Sequence, residues 1–185
     1  MSYKWWLITA VALFCGGLLL GLATSGSITV LLAEDVAGLG ELAKLLEPLP
    51  QSSLLGVIFI KNVTAILISF AFSPFFCLVP VIALVFNGGL IGWVSVMVVQ
   101  EESLGYLLGG LLPHGVFELP AFIMGEAVAL SFGASVMLAV FNKDKRSELL
   151  PSLKTSLKYL AVVVALLLVA AIMETYVTPL LLNRL

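Results

Sequence analysis

The sequence predicts an all-α, polytopic helical membrane bundle: about five transmembrane helices, with a short re-entrant or interfacial half-helix before the fourth. Three observations carry that expectation. Hydrophobic residues make up 61% of the chain and charged residues only 11%, more apolar surface than a soluble core absorbs and of the kind lipid accepts. The apolar residues fall into runs near the ~20 residues that a helix needs to cross ~30 Å of hydrocarbon. Most of the basic residues, six of the nine Lys and Arg, fall between or beside those runs on one side, as membrane orientation requires.

Taken in order, Lys4 precedes the first apolar run, which ends near Ala23-Thr24-Ser25. That outline resembles a signal peptide, but the run is too long for one and stays apolar to Leu32, so residues 5–24 are read as the first span. Residues 34–50 carry Glu34, Asp35, Glu41, Lys44 and Glu47 among leucines at helical spacing, which predicts an outer amphipathic segment lying in the interface. Span two covers 53–72. A tight turn at Ser73-Pro74 feeds span three, 75–99, because proline ends one helix and fits the first turn of the next.

Residues 105–141 are too long for one crossing, about 55 Å as a helix, and too short for two. A break is expected at Leu112-Pro113-His114-Gly115, leaving 105–112 as the half-helix and 113–141 as span four. Span five is 157–180, and the chain 1–185 reads as a single integral membrane domain.

Lys4, Lys143, Lys145, Arg146, Lys154 and Lys158, six of the nine Lys and Arg, fall on one side of a five-span protein. The expectation is a multi-pass protein of the cytoplasmic membrane with its N-terminus inside and its C-terminus outside. A net charge of −2 argues against nucleic-acid binding, which needs a basic patch. Cys15 and Cys77 lie in apolar runs and read as small buried hydrophobes. Trp5, Trp6 and Tyr159 read as interfacial anchors.

The informative residues are ionisable ones within these spans: Lys61, His114, Glu118, Glu126 and Glu174. Each costs about 2.5–3.5 kcal/mol or more in hydrocarbon, so such groups face protein or trapped water and partner one another. His114 and Glu118, four apart, share a helix face; Glu126 lies roughly 80° further round. With Asn62 and Asn87 they form the expected polar core or ion path. The five-span topology puts Glu118 and Glu174 at similar depth in the outer half, where they are expected to approach, with His114 or Lys61 compensating. Asn87 is expected to bond across helices beside Gly88-Gly89. Pro113 is expected to leave outward-pointing amides near His114 and Gly115, while Pro120 and Pro179 free the backbone carbonyls of Val116 and Thr175 near the acids, and carbonyls at that depth need a partner. The motifs Gly17-x-x-x-Gly21, Gly88-x-x-x-Gly92 and Gly105-x-x-x-Gly109 match the pattern for close helix approach, within the chain or in a homo-oligomer.

The run Pro113-His114-Gly115-Val116-Phe117-Glu118-Leu119-Pro120-Ala121 resembles the central signature of the stage II sporulation protein M family of bacterial and archaeal membrane proteins. Asn62, Asn87-Gly88-Gly89 with Gly92, and Ala170-Ala171-Ile172-Met173-Glu174 with Thr178-Pro179 fit in order. The likeness runs from about Ser53 onward; the N-terminal third fits only as one span plus an outer loop. It implies a membrane component that assembles with cell-envelope partners, as one member does with peptidoglycan-degrading proteins during sporulation. Archaeal members without peptidoglycan imply a more general role for the motif.

Three functions fit the residues. The first is a membrane scaffold or assembly component whose polar cluster bonds helices together. The second is a small channel or transporter using the carboxylates for a proton or cation. The third is an intramembrane metal site or hydrolase, with His114, Glu118, Glu126 and Glu174 as candidate ligands and a divalent cation as the implied cofactor. No zincin motif is present, and no Ser or Cys nucleophile pairs with the His, so no catalytic residue is assigned and an enzyme is disfavoured.

Overall fold

The computed structural model describes residues 3–28 and 50–182, with the side chains of 24–28 left aside. The helices are α1 (Tyr3–Ile28), α2 (Gln51–Phe72), α3 (Leu78–Glu101), α4 (Leu104–Phe141) and α5 (Leu149–Ile172). A 3-10 turn, Lys143–Glu148, joins α4 to α5; a π turn, Met173–Val177, joins α5 to the short α6 (Thr178–Leu182). Five helical stretches are long and apolar enough to cross a membrane. Their outward faces are hydrocarbon, with Phe86, Leu138 and Leu180 all largely exposed. The protein is a multi-pass integral membrane protein. The expected amphipathic segment at 34–50 lies, but for Pro50, outside the described residues.

One expectation is corrected. Residues 105–112 form no separate half-helix: α4 runs unbroken for 38 residues, with Pro113 and Pro120 inside it. At 1.5 Å per residue it is about 57 Å long and extends beyond the hydrocarbon. The reason is local. Ser103 caps the helix, its hydroxyl accepting from the Tyr106 amide at 3.1 Å, so α4 starts at Leu104, well before Pro113. Each proline then removes one intrahelical bond, which neighbouring helices can compensate in a membrane bundle.

Helices α1 and α3 pack in parallel through backbone contact. A Cβ at Gly17 would stand 2.2 Å from the Val85 carbonyl oxygen, and one at Gly21 would stand 2.0 Å from that of Gly89. Reciprocally, a Cβ at Gly88 or Gly92 would meet the carbonyl oxygens of Phe14 or Leu18 at 2.2 and 2.3 Å. Only glycine permits that approach at these positions. The two motifs therefore serve each other inside one chain. Among the described residues Gly105 has no such neighbour.

Central to the bundle, α4 packs against α1, α2, α3 and α5. Its middle, Gly125–Leu130, is buried without interruption. Helix α5 turns one face to it, with Ser156, Leu160, Val163, Leu167 and Ala171 buried at helical spacing. The link from α2 to α3 is tighter than a simple proline turn. Phe76 and Cys77 are both left-handed, with φ of 55°, and this delays α3 to Leu78. The turn rests on α4 at Gly133, where a Cβ would stand 2.3 Å from the Ser73 carbonyl oxygen. At the other loop α5 starts at Leu149, earlier than the sequence suggests, so Lys154 and Lys158 sit in its first turns.

Candidate functional site

Helical spacing brings His114 and Glu118 to one face of α4, with His114 Nε2 at 3.8 Å from Glu118 Oε2. From α2, Asn62 Nδ2 donates to the other carboxylate oxygen, Oε1, at 3.0 Å. The third group, Glu174, comes from the π turn at the end of α5. Pro179 has no N–H to continue an α ladder. The Thr178 amide and hydroxyl both reach back to the Met173 carbonyl, the hydroxyl at 3.3 Å, so the backbone takes in an extra residue. Such bulges concentrate at functional sites.

The result is a compact donor set. One ligating atom each from His114, Glu118 and Glu174 lie within 4.8 Å of one another. They line a cavity of about 330 Å³, together with Lys61, Asn62, Asn87 and Gly115, and Phe14, Phe122 and Leu167 add apolar wall. The side chains of His114 and Glu118 are 17% and 29% exposed, so the cavity opens to the outside of the bundle. Among the described residues His114 Nδ1 is buried without a hydrogen-bond partner, an expensive state for a ring nitrogen.

A neutral imidazole and two carboxylates are the donors that first-row divalent cations such as zinc or manganese accept. Ligands about 2.1 Å from a tetrahedral ion lie roughly 3.4 Å apart, so closure by up to about 1.4 Å from the present 4.8 Å would complete three corners. The fourth corner would face the cavity, the open arrangement of sites that exchange ligands.

Not every expected residue joins this group. Glu126 does not line the cavity. It lies deeper, 1% exposed, and accepts a hydrogen bond from Ser69 Oγ of α2. Asn87 lines the cavity but, among the described residues, bonds no other helix; its Nδ2 donates to Ala83 O of α3 at 2.8 Å, the usual i−4 acceptor within its own helix. Lys61 reaches the cavity with no ion pair among the described residues. Pro120 faces outward, and Pro113 is half-buried beside His114.

Ser69 is the partner that sequence reading missed, although it lies seven residues after Asn62 and so on the same face of α2. Also missed was Gly125, where a Cβ would come within 2.9 Å of Ile66 Cδ1 and lock α4 to α2.

An uncharacterized protein of Methanocaldococcus jannaschii is 28% identical over 120 residues, covering 64% of this chain and 67% of the relative. No solved structure matches the chain. The profile of the family described as stage II sporulation protein M matches residues 10–179, which takes in most of α1 and every residue of the His114–Glu118–Glu174 cluster. The chain belongs to the stage II sporulation protein M family.

Proposed function

We propose that this membrane protein binds a divalent first-row metal cation between His114, Glu118 and Glu174 as a step in carrying it across the bilayer. The observation that supports this is the donor set itself: three ligating atoms within 4.8 Å, on an open cavity inside an apolar bundle. A scaffold needs no such cavity. Interhelical hydrogen bonds in membranes average about 0.6 kcal/mol, a weak reason to place two carboxylates and a histidine together. A scaffold would also gain nothing from an unpartnered His114 Nδ1.

In this reading the chain acts as one membrane domain. The basic 143–158 region faces the cytoplasm and the cavity lies in the outer half, by the positive-inside rule. The cation is the ligand, and no partner protein is required for its binding.

Titration of the purified full chain in nanodiscs with zinc, manganese and magnesium tests the proposal. Zinc or manganese should bind one per chain with roughly micromolar affinity or better, and magnesium far more weakly, since it favours all-oxygen octahedral sites. Glu118→Gln with Glu174→Gln should abolish the binding. Equal binding by the double variant, or none by the native protein, would refute the reading.

A further inference from the structure

A second cavity lies beyond the hydrophobic centre of the bundle. Its volume is about 320 Å³, and Tyr3, Ser131, Ser135, Glu148, Ser152 and Ser156 line it. Ser152 Oγ and Ser135 Oγ are 3.3 Å apart, linking α5 to α4 across it. The first cavity takes its residues from the early part of α4 and the end of α5; the second takes them from the later part of α4 and the start of α5. Because α4 and α5 run antiparallel across a short loop, the two cavities sit at opposite ends of the same seam. The seam between them is closed by Ile66, Ala121, Val128, Leu160, Val163 and Leu167, all buried.

Glu126 stands on α4 between the two. From Glu118 to Glu126 the helix rises about 12 Å, and from Glu126 to Ser131 about 7.5 Å. Its one hydrogen bond among the described residues comes from Ser69. Charged side chains on the packed helices are Lys4 on α1, Lys61 eight residues before Ser69 on α2, Glu101 at the end of α3, and Lys154 and Lys158 on α5; none pairs with Glu126. An ionised carboxylate is not stable in such a place without a counter-charge. A packing role would be served better by an apolar residue of the same size.

We propose that Glu126 is the proton-binding element of a path between the two cavities, and that Ser69 orients it. It rests on the proposed cation-carrying function only in treating the first cavity as a water-filled vestibule. Glu126 in its acid form gives its proton to water reaching from one cavity: one O–H bond breaks, one forms, and a carboxylate and a hydronium ion are left. A hydronium ion in the other cavity then gives a proton to a carboxylate oxygen, leaving a water and restoring the acid. Ser69 Oγ donates to the carboxylate form and can accept from the acid form, so the group keeps a partner in both states.

The full chain in vesicles enclosing a pH-sensitive dye, with a potassium diffusion potential as driving force, tests this. The native protein should raise proton entry at least about tenfold over protein-free vesicles, as expected of an intramembrane carboxyl that serves as a relay. Glu126→Gln should return entry to the protein-free level, and Glu126→Asp should keep part of it. Zinc titration on the same Glu126→Gln sample should match the native protein, because Glu126 lies outside the metal cluster. Native flux no greater than that of empty vesicles, or flux undiminished in Glu126→Gln, would overturn the proton path. Loss of zinc binding with Glu126-dependent flux intact would instead overturn the cation-carrying reading alone. Infrared spectroscopy of the native protein and Ser69→Ala covers the case in which Glu126→Gln fails to fold. A carboxyl C=O band that exchanges in heavy water and moves in Ser69→Ala supports the relay; a band that neither exchanges nor moves refutes it.

Discussion

Asn62 Nδ2 donates to Glu118 Oε1 at 3.0 Å, joining residues 56 apart in sequence and fixing one carboxylate of the cluster from a different helix. A bond of this kind leaves the other oxygen, Oε2, turned toward His114. Groups that orient a metal ligand typically matter by 10–100-fold in affinity. Asn62→Ala should therefore weaken zinc binding by about tenfold or more while the protein stays folded, measured by titration in nanodiscs.

Metal binding at such a cluster competes with protons for the imidazole and carboxylate atoms. Zinc affinity should fall steadily as pH is lowered from 7.5 toward 5, and each ion bound should release protons to the buffer. Calorimetry in buffers of different ionisation heat reads that release directly. An affinity flat across this range would argue that the ion sits elsewhere.

The α1–α3 contact makes a contrast between neighbouring glycines. Gly21→Ala would drive a Cβ to 2.0 Å from the Gly89 carbonyl oxygen, a backbone atom with nowhere to go. It should cost at least about 1–3 kcal/mol, the usual penalty of overpacking. Gly16→Ala meets nothing within 4 Å and is exposed, so it should be neutral, or stabilising by up to about 1 kcal/mol through helix propensity. Thermal unfolding of the two variants in detergent compares them.

Ser69 and Glu126 form a buried polar pair, and removing one member strands the other. Ser69→Ala should destabilise the protein by about 1–3 kcal/mol. Adding Glu126→Met, which replaces the carboxyl by an apolar group of similar size, should recover most of that loss. Unfolding midpoints of the single and double variants give the comparison.

Opposite faces for the two ends of the bundle can be read by labelling. In a chain without Cys15 and Cys77, a cysteine at Ser147 should label from the cytoplasmic side and one at Gln51 from the outside; both positions are exposed. Labelling of both from one side would reverse or break the five-span topology.

The number of spans and the apolar exterior were legible in composition and run length, because hydrocarbon imposes the same length on every crossing. The similar depth of Glu118 and Glu174 followed from counting along antiparallel spans. The continuity of α4 was not legible: a proline advertises its lost hydrogen bond, but the Ser103 cap ten residues upstream decides where the helix begins. Asn87 misled for a related reason, since an amide within a helix always has its own i−4 carbonyl in reach. The glycine motifs announced close approach without naming the partner. The second cavity went unnoticed because Ser131/Ser135 and Ser152/Ser156, though spaced four apart on each helix, carry no charge to draw attention.

The interlocked glycines of α1 and α3 also divide the molecule mechanically. Each helix carries the other's carbonyl oxygens in notches a side chain would fill, so neither can slide or turn against the other without collision. That pair is a fixed post. Whatever rearrangement opens the seam from one cavity to the other must come from α2, α4 and α5, and the joints available to it include the left-handed Phe76–Cys77 turn, the 3-10 turn Lys143–Glu148 and the π turn at Glu174.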